Sequence, residues 1–444
     1  MISKMAYLPH TEAERKEMLM HLGVEDIDDL FADIPDAART QGSLGLPNGL
    51  SEWELHQRMR QLATGNHSLD QMVSFLGSGF YDRYIPSVVP ALASRGEFST
   101  AYTPYQPELS QGTLAAIFEF QTMIASLTGM DAAQASLYDG ASAAAEAALL
   151  AMADTGRKTV MVSNTLHPEV RRVVATYIAP RGGQMHVVDD VPEDDETDPP
   201  AAVIWPYPDI LGRVVGFPQA MASAKSMGAL AVCYADPVSL ALLRPPGELD
   251  ADVAVGEGQA LGNPIQYGGP GFGFFAVKQR LIRRLPGRLV GATQDAQGRR
   301  GFVLTLQARE QHIRRERATS NVCSNHSLNA LRATIYLSLL GPSGLRDIAQ
   351  LSVNKAHYLK ERLRAIGVVP VTEEPVLYEF AVRVPGSIAS LNQWLLDRGI
   401  FGGVDLGRWS PDWEHWWQLA VTELRTRSEL DRLVKEVSAW IQSQ

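Results

Sequence analysis

The sequence predicts an α/β fold with a mainly parallel sheet and a small α+β domain at its carboxyl end. Between residues 158 and 234, four short apolar runs bounded by glycine, proline or aspartate alternate with helical stretches. Strands that alternate with helices form a parallel sheet covered on both faces. After residue 345 the pattern changes to helices mixed with a few strands, which is typical of an α+β domain.

The elements fall into three predicted domains. Residues 1–100 are predicted to be a helical N-terminal segment, in which Ser51 and Glu54 have the spacing of a capping box. Apolar residues recur at helical spacing between residues 110 and 130, and Gly129 follows as a stop signal. We expect residues 101–340 to form the large α/β domain and residues 341–444 the small one.

Composition excludes several classes of protein. The formal net charge of −10 argues against nucleic acid as a main partner, because binding to phosphates relies on a basic surface. No stretch is long and apolar enough to span a membrane, and no metal-ligand spacing occurs. The two cysteines, Cys233 and Cys323, are expected to be buried free thiols, which suits a reducing compartment, the cytoplasm.

A turn followed by a helix of very small residues, YDGASAAAEA, occupies residues 138–147. Small side chains allow close approach of another group, and a helix N-terminus offers free N–H groups to an anion, so this segment could hold a phosphate. The alternative is that these small residues only pack the helix against the sheet.

Residues 101–112, AYTPYQPELSQG, combine two prolines with two tyrosines and two amides. Such a segment is either a rigid surface that presents hydrogen-bonding groups or a stiffened connector to the next helix. Residues 307–325 contain an arginine-rich run followed by small hydroxyl and amide side chains. That run suits carboxylate or phosphate, but a solvated helix with self-paired charges is equally compatible with it.

The chain has no lysine between Lys225 and Lys278. In a pyridoxal-phosphate (PLP) enzyme of this architecture, an aspartate at the end of a strand pairs with the pyridinium nitrogen. A lysine further along the chain then forms a Schiff base. Asp236 occupies the place of the aspartate, but no lysine stands near Gln259. The sequence therefore resembles a PLP enzyme without its nucleophile.

Five motifs together resemble the P-protein of the glycine cleavage system, and more narrowly the first (alpha) chain of its split bacterial form. These are residues 101–112 and 138–147 as quoted above, VGEGQ at 255–259, GFVLTLQAREQHIRRE at 301–316 and ATSN at 318–321. The resemblance covers essentially the whole chain and implies the aspartate-aminotransferase-like PLP fold (fold type I). It also implies a homologous beta chain that holds PLP covalently through its lysine, in an αβ heterodimer that pairs into α2β2.

The resemblance also implies roles for single residues, because the active site would be shared between the two chains. The wall of the beta chain's site, near glycine and the lipoyl arm of H-protein, would include Tyr102, Thr103, Tyr105, Gln106 and Glu108. Thr319, Ser320 and Asn321 would reach the cofactor phosphate, with Arg314 and Arg315 nearby. Asp236, His167 and Gln259 would remain in a degenerate pocket of this chain itself.

Three functions are therefore weighed. The first is a non-catalytic half of a heteromeric glycine decarboxylase, which transfers the aminomethyl group of glycine to the lipoyl group of H-protein. The second is an inert or regulatory homodimeric scaffold. The third is PLP chemistry without a lysine, run from Asp236 and His167 in the chain's own pocket.

Overall fold

The computed structural model describes residues 10–40, 44–99, 102–192, 199–267 and 269–444. The chain divides into two compact units, Met1–His67 and Ser68–Gln444. The first unit contains helices α1 (Glu12–Leu22) and α2 (Glu52–Ala63). Helix α2 begins at the predicted capping box, in which the Glu54 N–H donates to Ser51 Oγ and the Ser51 N–H donates to Glu54 Oε2. The predicted start of this helix is confirmed.

Strands and helices alternate along the second unit. The strands are β1 (Val73–Ser74), β2 (Ala132–Ala133), β3 (Thr159–Ser163), β4 (Gln184–Val188), β5 (Ala202–Tyr207), β6 (Leu230–Ala235), β7 (Val253–Glu257), β8 (Gly273–Val277), β9 (Leu289–Gln294), β10 (Arg300–Thr305), β11 (Val369–Pro370), β12 (Glu379–Arg383), β13 (Ile400–Phe401), β14 (Val404–Asp405) and β15 (Trp416–Ala420). The helices are α3 (Val88–Ala93), α4 (Gly96–Ser99), α5 (Gln111–Thr128), α6 (Gly140–Thr155), α7 (Pro168–Ile178), α8 (Phe217–Ser226), α9 (Gln311–Arg314), α10 (Ser327–Arg364), α11 (Ile388–Leu396) and α12 (Arg427–Gln442).

A seven-stranded sheet in the order β2-β8-β7-β6-β5-β3-β4 forms the centre of the second unit. The pairs from β4 through β7 are parallel, and only β8 and β2 run antiparallel to their neighbours. Strands β5 and β7 are buried along their whole length, as expected of strands covered on both faces. The predicted mainly parallel sheet is confirmed.

Two hydrophobic clusters lie on opposite faces of this sheet. Along β5, Val203 belongs to the cluster that includes helices α5, α8 and α10, whereas Ile204 belongs to the cluster that includes α6 and α7. Consecutive side chains of a strand point to opposite faces, so the sheet separates the two groups of helices. Helix α5 ends at Gly129, whose φ of 66° is the left-handed stop that the sequence predicts.

The carboxyl-terminal part has an antiparallel four-stranded sheet in the order β11-β12-β15-β14. Helices α11 and α12 pack with it, and the fully buried Trp417 and Trp440 belong to its core. Helix α10 is interrupted at Gly341, which has a non-helical φ of 59° and ψ of −177°. The predicted α+β character is confirmed, whereas the boundaries at residues 100 and 340 stay predictions.

One expectation about the cysteines was wrong. Both are free, but only Cys233 is buried; Cys323 is exposed because it lies in an irregular segment between short turns and α10. No helix among the described residues is both long and apolar enough to cross a membrane. Those residues also contain no group of acidic, histidine and cysteine side chains suited to a metal ion. Ala101 and most of the acidic segment 190–200 lie outside the described residues.

Candidate functional site

A cavity of about 530 Å³ lies at the carboxyl ends of the parallel strands. Ligands in open α/β sheets bind at this edge, because the loops that follow the strands converge there. His167 lies in the connection from β3 to α7, Asp236 follows β6 directly, and Glu257 is the last residue of β7. Strand order thus brings together three side chains that are spread over 90 residues of the sequence.

Two of the three residues predicted for the degenerate pocket line this cavity, namely His167 and Asp236. Asp236 Oδ2 accepts hydrogen bonds from the backbone N–H and the hydroxyl of Ser239. Gln259 is only 1% exposed and is not part of the lining. Its amide bonds the backbone of Tyr81 and the carbonyl of Asn263, at 2.7–3.2 Å, so it holds two loops together.

His167 is a neutral ring with a defined tautomer. The backbone N–H of Glu169 donates to Nδ1, so Nε2 carries the proton and donates to Ser78 Oγ at 2.8 Å. Burial lowers the pKa of His167 to about 4. Its ring also stands edge-on to Trp409, with centroids 4.7 Å apart. The histidine is therefore an uncharged wall of the cavity at neutral pH.

The N-terminus of α6, one candidate for a phosphate site, is already occupied by carboxylates of the chain. Asp139 Oδ1 caps the helix by accepting from the Ser142 N–H at 2.7 Å. Glu257 Oε2 accepts from the Gly140 N–H at 2.9 Å, and its Oε1 accepts from two further backbone N–H groups. The small residues of α6 are almost all buried, which favours the packing interpretation.

PLP does not fit this pocket of the chain. Its dianionic phosphate would meet Glu257 and Asp139 where free N–H groups are needed. Among the described residues, neither lysine nor arginine lines the cavity. A Cβ on Gly140 would lie 2.6 Å from the backbone nitrogen of Glu257, so the helix start and β7 are in close contact.

The segment 102–110 lies on the surface, with Tyr102 72% and Tyr105 47% exposed. Gln106 and Glu108 are also exposed, whereas Pro104 is buried and anchors the segment. At its end, the side chain of Gln111 makes two hydrogen bonds of 2.8 Å to the backbone of Phe302 in β10. The segment is therefore a fixed surface loop with exposed aromatic rings.

Arg288 connects this loop to the segment that precedes α10. Its guanidinium is 4% exposed and donates to Thr103 Oγ1, Tyr105 Oη and the carbonyl of Cys323, at 2.5, 3.0 and 2.6 Å. It also lies over the Tyr105 ring, 5.3 Å from the centroid, and 3.8 Å from the buried carboxylate of Glu310. One buried cation thus fixes both segments.

The arginine-rich run does not form a long helix. Only α9 and short turns occur there, and Arg315 has a φ of 53°. Arg314 and Arg315 are exposed, as are Thr319 and Asn321. Ser320 is partly buried, and its hydroxyl bonds to Glu146, whose pKa burial raises to about 7.

Sequence reasoning missed three residues of these sites. Glu257 belongs to the quoted motif VGEGQ, but the missing lysine points to Gln259, two residues further along the chain. Arg288 and Gln418 have no local signal, because their partners lie far away in the chain. Both become informative only when burial and distant contacts are known.

Comparison with known proteins gives a consistent result. A family model described as Glycine cleavage system P-protein matches residues 5–437. An Anoxybacillus flavithermus protein named probable glycine dehydrogenase (decarboxylating) subunit 1 is 48% identical, over 98% of this chain and 99% of that protein. A Bacillus subtilis protein with the same name is 46% identical, over 98% and 99% of the two chains.

Similar solved structures agree with the family that the sequence comparisons give. The crystal structure of glycine decarboxylase (P-protein) of the glycine cleavage system, in inhibitor-bound form, has a TM-score of 0.90 and 44% identity, covering 98% of this chain and 100% of that one. An aspartate aminotransferase of Thermus thermophilus has a TM-score of 0.57 at 13% identity, covering 84% and 99%. The latter likeness shows the fold alone, and it confirms the expected aspartate-aminotransferase-like fold type I.

Proposed function

The chain belongs to the glycine cleavage system P-protein family, and on that premise we propose that it is subunit 1 of a heteromeric glycine dehydrogenase (decarboxylating). The relatives that carry this name match it over nearly their whole length, at up to 49% identity. The partner would be a second, homologous chain, in an αβ unit that pairs into α2β2. The substrate would be glycine, the acceptor the lipoyl group of H-protein, and the compartment the cytoplasm.

The observation that carries this proposal is the incompatibility of the chain's own pocket with PLP. No lysine of the described residues lines it, and Glu257 occupies the start of α6. PLP supplies the electron sink for loss of CO2 from glycine. We therefore assign the covalent PLP site to the partner chain, which supports a division of labour between the subunits.

This chain would contribute surface groups to the partner's site. Tyr102, Tyr105, Gln106 and Glu108 are exposed on the loop that Arg288 holds, and would form a wall that excludes water. Thr103 accepts from Arg288 and would help to shape the same wall.

Arg288 also holds the segment before α10 through the carbonyl of Cys323. In that segment Thr319 and Asn321 present exposed neutral donors suited to a phosphate of the partner's cofactor, with Ser320 between them. Arg314 and Arg315 are exposed close by in sequence and would serve as carboxylate or structural partners.

Reconstitution tests this function. The purified chain alone should show no glycine-dependent exchange of CO2, and activity should appear when the second chain is added. In the reconstituted enzyme, Tyr105→Phe and Thr319→Ala should each lower kcat/KM about tenfold or more. Thr176→Ala is the matched control, because its exposed hydroxyl bonds only within its own helix.

Two outcomes would contradict the proposal. Glycine turnover by the isolated chain would instead establish PLP chemistry without a lysine, run from Asp236 and His167. If Tyr105→Phe and Thr319→Ala both kept the wild-type rate, the chain would act as an inert scaffold.

A further inference from the structure

We propose that the cavity at the carboxyl edge of the sheet binds a small organic cation with N–H donors, a primary ammonium or an amidinium. This site goes beyond the proposed function, since it is formed by this chain alone. Six carboxyl groups line the cavity, those of Asp139, Glu169, Asp209, Asp236, Glu257 and Glu379, and no lysine or arginine does so among the described residues. Burial raises the pKa of Glu257 and of Glu379 to about 7, so these two are only partly ionised at neutral pH. A cavity with this lining favours cations over anions.

Several of these carboxylates already have partners. Asp209 is paired with Arg213 at 2.8 Å, and Glu169 faces Arg172 at 3.4 Å. Asp236 Oδ2 accepts from the backbone N–H and the hydroxyl of Ser239, and the buried hydroxyl of Tyr378 also interacts with this carboxylate. The buried guanidinium of Arg83 interacts with Asp236 electrostatically, but it is paired with Glu423 at 2.6 Å and does not line the cavity. Among the described residues no lysine or arginine lines the cavity beside Asp236, so its charge is not paired with a cation there.

Gln418 gives independent evidence for a ligand with hydrogen-bond donors. Its side chain lines the cavity and is 1% exposed, and in the part of the chain that the structure describes its Oε1 has no hydrogen-bond partner. Its Nε2 donates to the carbonyl of Ile210 at 2.5 Å, which fixes the orientation of the amide, because a reversed amide would set two oxygens together. A buried acceptor without a donor is costly, and an N–H group of a ligand would satisfy it.

The aromatic part of the lining suits the body of such a cation. Phe80, Tyr138 and Tyr234 line the cavity, together with the neutral ring of His167. Aromatic faces attract ammonium and amidinium groups through the quadrupole of the ring. The cavity therefore combines a carboxylate, an unsatisfied acceptor and aromatic walls.

Calorimetric titration of the full chain with benzamidine tests this proposal. We expect saturable binding of one equivalent. Phenyltrimethylammonium, which has the charge but no N–H donor, should bind at least tenfold more weakly, and benzoate should not bind. Gln418→Leu and Asp236→Asn should each weaken benzamidine binding at least fivefold.

Gln393→Leu is the control variant, since its exposed amide bonds only Asp397 on the surface. Asp236→Asn keeps the shape of the side chain, so it stays informative if Gln418→Leu fails to fold. Absence of benzamidine binding at millimolar concentration would overturn the proposal. Equal binding by wild type and both cavity variants, or competition by inorganic phosphate, would overturn it as well.

Discussion

Replacing Arg288 should destabilise the chain far more than replacing an exposed arginine. Arg288 and Glu310 form a buried ion pair, with side chains 4% and 3% exposed and 3.8 Å between Nε and Oε2. Arg288→Ala leaves the Glu310 carboxylate buried without its guanidinium partner, which costs about 3–5 kcal/mol. The three further hydrogen bonds of the guanidinium are lost in the same variant.

The matched control is Arg299→Ala. Arg299 and Asp295 also form an arginine–carboxylate pair, at 2.7 Å, but their side chains are 77% and 37% exposed. Exposed pairs contribute about 0–1 kcal/mol, because water screens them. Chemical denaturation of the isolated full chain, with circular dichroism as the readout, measures both free energies of unfolding.

Kinetic measurements on the reconstituted enzyme separate the positioning role of Arg288 from its contribution to stability. Arg288→Lys keeps the charge but loses the planar fork that bonds Thr103, Tyr105 and Cys323 at once. In the reconstituted enzyme this variant should lower kcat/KM, and Arg288→Lys combined with Tyr105→Phe should lose less than the sum of the two single effects. A cost below 1 kcal/mol for Arg288→Ala, or strictly additive kinetic effects, would refute the reasoning.

Three more predictions follow from buried contacts. Burial raises the pKa of Glu257 to about 7, so the stability that its protonated form contributes is fully present below about pH 4.5 and is lost as the pH rises to about 7. Glu257→Gln should remove roughly 3 kcal/mol of this pH dependence from the free energy of unfolding, measured from pH 4 to 8. Gly140→Ala should destabilise the chain by more than about 2 kcal/mol, because its Cβ would lie 2.6 Å from a backbone nitrogen, whereas Gly112→Ala, with nothing within 4 Å, should be neutral or slightly stabilising. A thiol reagent should modify one cysteine of the native chain, the exposed Cys323, and Cys233 only after unfolding; equal reactivity of both would contradict the structure.

The sequence by itself determined the fold class, because periodicity and turn residues are local. The turn residues that bound β3 to β6, the Gly129 stop of α5 and the Ser51 capping box are each local signals, formed by residues only a few positions apart. The family was equally readable, because its motifs are continuous stretches of sequence, and the comparisons confirmed it.

Only the tertiary structure decided how the side chains are used. Whether the start of α6 can receive a phosphate depends on Glu257, which is 117 residues from Gly140 in the sequence. The hydrogen bonds of Arg288 connect Thr103 with Cys323. Gln418, whose Oε1 lacks a hydrogen-bond partner among the described residues, lines a cavity at the ends of several strands. Burial and distant hydrogen-bond partners determine these contacts, and neither can be read from the local pattern of the chain.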